Sequence, residues 1–147
     1  MNKKAITQFF ILVILFSTSC TTYLIPVESF KQQFNNIDST NLREVLVYGP
    51  IGDFYNYLAN PIDTIRCEDK NGNVYGLKNS PSIEIRFTHG VKNKKTVFYF
   101  DRIFVNDDSV IGVQSRFVSA IRKTIPLDSI TKIEVQDGRK KFQYSGN

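Results

Sequence analysis

The sequence holds one histidine, two cysteines and no tryptophan. Each scarcity removes a class of chemistry. A Ser–His–Asp triad needs a histidine held between a nucleophile and an orienting acid. The one histidine, His89, lies in the stretch Thr88-His89-Gly90, and no G-x-S-x-G elbow accompanies it. It reads as a turn residue. Zinc sites built on histidine draw on several Cys or His ligands, which this chain does not supply. A strong excess of one charge is also missing. Nucleic-acid binding calls for a basic stripe with interleaved aromatics, and Lys and Arg number 19 against 14 acids. Asp69-Lys70-Asn71-Gly72-Asn73 has the oxygens of a calcium loop without its spacing. An EF-hand has Gly at the sixth position and Glu at the twelfth, whereas here Gly72 is fourth and Ser80 twelfth. Asn106-Asp107-Asp108 likewise reads as a turn. No cofactor and no catalytic residue is expected.

What is present begins with a leader. Lys3 and Lys4 form a positive start, Phe9 to Phe16 is a dense apolar run, and Ser17-Thr18-Ser19-Cys20 is a small-residue exit. That order is the layout of a secretory signal. The run is shorter than the roughly 20 apolar residues that a spanning helix needs. Its end resembles the lipobox of bacterial lipoproteins, with Ser17 where that family prefers Leu. The resemblance implies a diacylglycerol on the Cys20 thiol, cleavage before Cys20, and acylation of the new amine. Two lipid signals hold a protein stably at a membrane where one chain does so marginally, so Cys20 is the expected membrane anchor. Thr21 stands where an Asp would retain an enteric lipoprotein at the inner membrane. The resemblance therefore implies the cell envelope, and the outer rather than the inner membrane. With Cys20 lipidated, Cys67 is a lone thiol. It alternates with Ile65 and reads as a small buried residue of a strand.

Removing residues 1–19 from the 147 leaves 128 residues, the size of one domain. Lys3 and Lys4 leave with the leader, so the mature chain carries a net charge of +3. Residues 20–43 are expected to be a lipidated tether, from 21 to 26, followed by a short helix. Val27, Phe30, Phe34 and Ile37 recur at helical steps of three and four. Residues 44–147 are expected to be β-rich. Ile83, Ile85 and Phe87 alternate with Glu84, Arg86 and Thr88 at the period of a strand. Asn71-Gly72 is a hairpin turn pair whose residues accept positive φ. Thr96 to Val105 reads as one long run of β-formers, and Phe54 to Leu58 as a strand or a turn of helix. Strand–turn–strand units recur at Ile65–Leu77, Ile103–Val113 and Ile133–Tyr144, which reads as repeated hairpins. Turn residues at roughly ten-residue spacing predict a mainly β domain: a single antiparallel small barrel or sandwich of about eight short strands with a short N-terminal helix.

The stretch Ile125 to Val135 resembles the last strands of Sm-like and other SH3-like small barrels, where a helical turn joins two strands. Taken whole, the chain resembles the small β-domain lipoproteins of Bacteroidetes-type bacteria, rich in Asn, Ile and Lys. Those bacteria O-glycosylate Asp-Ser/Thr sites, and Asp38-Ser39-Thr40 makes Ser39 the most accessible match. Lys92, Lys94 and Lys95 form one basic cluster, and Arg139, Lys140 and Lys141 another. Were the two at one end of the domain, they would meet anionic headgroups at about 1 kcal/mol per residue. The expected function is a membrane-anchored, non-enzymatic binding or assembly module with an envelope protein partner. The alternative is a β-barrel that carries a small apolar ligand or lipid, since 12 Phe and 7 Tyr could line a pocket.

Overall fold

The computed structural model describes residues 22–116, 118, 120–137 and 141–145. The domain is mainly β, antiparallel throughout, with one short helix. Strand β1 (Thr22–Leu24) is followed by helix α1 (Val27–Gln33), β2 (Arg43–Tyr48), β3 (Phe54–Ala59), β4 (Thr64–Glu68), β5 (Val74–Lys78), β6 (Ile83–His89) and β7 (Lys94–Tyr99). A 3₁₀ turn at Phe100–Arg102 leads to β8 (Ile103–Asn106), β9 (Ser109–Val113) and β10 (Arg122–Pro126). A second, at Leu127–Ser129, leads to β11 (Ile130–Asp137), and β12 (Gln143–Tyr144) comes last. The sheets run β5-β4-β1-β11-β6-β7, β10-β9-β8 and β12-β2-β3. They form a sandwich-like stack with no closed barrel.

Local chemistry explains most elements. In β6, Ile83, Ile85 and Phe87 are buried while Glu84 and Arg86 are half-exposed, so the period of two sets one face against the core. In the β4–β5 turn, Asp69 Oδ1 accepts from the backbone N–H groups of Asn71 and Asn73, and Gly72 supplies φ +82°. In α1, Phe30 and its i+4 neighbour Phe34 stack at 4.4 Å. Phe30 meets Phe87 edge-on at 5.4 Å and Phe34 meets Phe100 at 5.5 Å. These rings, with Ile65, Ile85, Phe98, Ile103, Ile125 and Ile133, fill the main core. Each fully buried ring contributes about 1.5–3 kcal/mol. A smaller core of Val47, Tyr57, Ala59 and Phe142 underlies the β12-β2-β3 sheet.

Four expectations are corrected. The tether is not one: Thr22–Leu24 pairs with β11 on one side and β4 on the other, in the middle of the largest sheet, and Ile25 is buried. Three β-formers before Pro26 are enough for a strand because two neighbours supply hydrogen bonds. Thr96 to Val105 is not one run. The 3₁₀ turn at Phe100–Arg102 breaks it and sends β8 into another sheet. Ile133–Tyr144 is not a hairpin, because β11 pairs with β1 and β6 while β12 pairs with β2. The helical turn before β11 is present, but β10 and β11 belong to different sheets, unlike adjacent strands of a small barrel. Phe54–Ala59 proves to be strand, one of twelve mostly short strands among the described residues of the expected antiparallel, sandwich-like fold.

Candidate functional site

The residues singled out from sequence fall at separate places. Cys20, Arg139 and Lys140 lie outside the described residues. Ser39 is exposed in the turn after α1, where Asp38 Oδ1 accepts from the N–H and hydroxyl of Thr40. Those bonds hold the Asp38 carboxyl below its usual range. Lys92, Lys94 and Lys95 are exposed on the β6–β7 hairpin, and Lys141 is exposed ahead of β12. Lys141, the described member of the second cluster, does not share an end with the first. His89 pairs with Ile130 and Lys94, whereas Ile83 pairs with Asp137, from which the chain runs on towards Lys141. The seven residues of β6 span roughly 20 Å between those ends. The His89 ring Nε2 lies 3.0 Å from Thr96 Oγ1, a bond within the same hairpin. Among the described residues no group of three or more His, Cys, Asp or Glu is placed to hold a metal ion.

Sequence reading missed the most organised polar cluster. Asp101, in the 3₁₀ turn after β7, is fully buried. Tyr57 of β3 donates its hydroxyl to Asp101 Oδ2 at 2.5 Å, and Tyr144 of β12 donates to the same oxygen at 3.2 Å. Arg116 brings Nη2 within 3.5 Å of Asp101 Oδ1, and its Nη1 donates to the Tyr57 hydroxyl. The Arg116 guanidinium lies over the Tyr99 ring at 3.9 Å. Burial pushes the Asp101 carboxyl up, while Arg116 and the two hydroxyls pull it back. Burial and the adjacent carboxylate also push both tyrosines up, so they stay neutral donors. Beside them, Asn60 donates Nδ2 to the carbonyls of Phe100 and Ile103. Every oxygen of Asp101 is engaged and none meets solvent. The cluster therefore fastens the small sheet to the large one and offers no open acid or base. Its members are 43, 44 and 15 residues from Asp101 in sequence, so no local pattern marks them.

Three surface features remain. The outer face of the β2–β3 ladder carries exposed apolar side chains around the hydrogen-bonded pair Glu44–Asn56: Leu46 is 44% exposed, Phe54 60% and Leu58 52%, with Tyr48 edge-on against Phe54 at 5.1 Å. Next to it a groove of about 300 Å³ runs between this ladder and the β8–β10 sheet. Leu42, Leu58, Phe104, Val113, Arg102 and Arg122 line it. A second hollow of about 410 Å³ lies between the end of α1 and the β8–β9 turn, where amides and acids alternate with Phe34, Ile37, Val105 and Leu127.

Searches of protein-family models, of curated proteins and of solved structures each return no match.

Proposed function

We propose that this chain is a lipid-anchored protein of the bacterial envelope, held at the outer membrane through Cys20, whose domain binds another envelope protein and catalyses nothing. One observation carries the reading: Thr22, just past the proposed cleavage site, already belongs to a strand. Thr22 is already paired in the central sheet, two residues past the lipobox-like cysteine. A cut before Cys20 removes no described part of the fold. The β2–β3 face, with its aromatic and aliphatic side chains in solvent, supports the partner-binding half of the reading. Interfaces are enriched in such side chains at their centre.

The carrier alternative finds less support. Stacked phenylalanines fill the main core, so a bound apolar molecule would need a place outside it.

In the native host, Cys20→Ala is expected to move the protein from the membrane fraction to the soluble fraction. Retention in the membrane fraction would overturn the anchoring. Photo-crosslinking from position 54 or 58 is expected to capture an envelope protein, and position 92 is expected to capture none.

A further inference from the structure

The groove beside the apolar face has a chemistry of its own. Val113 of β9 pairs with Arg122 of β10, and Gly112 pairs with Ile103, so Arg102 stands one step along on the other side of Val113. Cross-strand neighbours share a face. Two guanidiniums therefore flank one valine on the groove wall. Neither has a carboxylate within ion-pair distance among the described residues. Asp63 is paired with Arg43 and Asp101 is engaged by Tyr57 and Arg116, while Glu44 accepts from Asn56 at the groove's edge. Arg102 is only 7% exposed, and its Nε has no hydrogen-bond partner. Its Nη1 reaches the Ser115 carbonyl at 3.0 Å and its plane lies 4.6 Å over the Tyr57 ring. A buried guanidinium normally satisfies all its donors or meets an anion. Burial disfavours the charge on Arg102 and the nearby Asp101 carboxylate favours it, while the cations Arg116 and Arg122 add repulsion that a bound anion would offset.

We propose that this groove binds a small amphiphile with an oxyanion head: the head on Arg102 and Arg122, the apolar body along Leu42, Leu58, Phe104 and Val113. The planar fork of arginine matches the two oxygens of a carboxylate or phosphate. The apolar side chains supply the burial that a free inorganic anion would forgo. A volume of about 300 Å³ is at the lower end for small-molecule sites, which suits a short-chain acid better than a full membrane lipid. The site is separate from the lipid anchor and stands whether or not Cys20 is acylated.

The test uses the domain from residue 21 onward with its fold verified by thermal melting, titrated with decanoate, decyl phosphate, decanol, acetate and inorganic phosphate below micelle-forming concentrations. Decanoate or decyl phosphate is expected to bind at least ten times more tightly than decanol, acetate or phosphate. The tighter of the two identifies the head group. Arg122 is exposed on an edge strand, so Arg122→Gln should fold normally and weaken binding at least tenfold, whereas Lys94→Gln should leave it unchanged. Decanol binding as tightly as both acids, no binding by either acid, or unchanged affinity in a folded Arg122→Gln variant would overturn the site. None of these outcomes bears on Cys20, which the fractionation of Cys20→Ala tests by itself.

Discussion

Asp101 and Arg116 form a fully buried pair, and such a pair responds asymmetrically to change. Removing one partner strands the other charge at a cost of about 3–5 kcal/mol. Arg116→Met is therefore expected to destabilise the domain by that amount in urea titrations. Arg116→Met combined with Asp101→Asn is expected to recover part of the loss, because no charge is then left alone. A double variant no more stable than the single would show that packing of Arg116 on Tyr99 dominates instead. Gly112 is a second sensitive point. A Cβ there would come within 2.5 Å of the Phe98 ring, which lies against the strand. Gly112→Ala is expected to cost about 1–3 kcal/mol by overpacking, read as a lower urea midpoint with an unchanged slope. Cys67 is buried and its thiol is pushed up to about 11, mainly by burial and further by Glu68. Because the folded value is raised, the thiol stays protonated through neutral pH, and thiolate is the reactive form. Native protein at pH 8 should resist maleimide, and unfolded protein should react fully.

At the scale of elements, β6 and the β4–β5 hairpin were legible because their information is local. Alternation fixes the faces of Ile83–Phe87, and Asp69 with Gly72 builds its own turn. The phenylalanine spacing of α1 was legible for the same reason. β1 was not. Three residues between a leader and Pro26 have too little length to show a period, and only β4 and β11, more than 40 residues and 100 residues away, make them a strand. The Asp101 cluster was hidden likewise, since Tyr57, Arg116 and Tyr144 become neighbours only when β3, the loop after β9 and β12 meet. The groove was hidden because Arg102 and Arg122 are ordinary surface-type residues in sequence. Only the β8–β10 register sets them either side of Val113. Tyr23→Pro tests the strand directly. It removes a ladder donor from a central strand and is expected to cost about 3 kcal/mol or abolish cooperative melting. A true tether would tolerate it.

For the whole molecule, the register sets an orientation once Cys20 is taken as the anchor. Thr22 pairs with Gln136, so the end of the large sheet that carries Gln136 and Asp137 faces the bilayer. The β6–β7 hairpin, with Lys92, Lys94 and Lys95, lies at the opposite end. Replacing those three lysines by Gln is expected to leave binding of the lipidated protein to anionic liposomes unchanged at any salt concentration. A drop in binding at low salt would overturn the orientation. With Cys20 taken as the anchor, the single residue between it and β1 would leave the domain little freedom to tumble.

The central place of β1 also decides how the molecule bears force. With Cys20 as the proposed anchor, a pull on it would run along β1, against three residue pairs with β11 on one side and one with β4 on the other. Hydrogen bonds loaded along the strands must rupture together, whereas those at a sheet edge peel one at a time. Tension on that proposed anchor would thus load β1 in shear between its two neighbours and not peel it from a sheet edge.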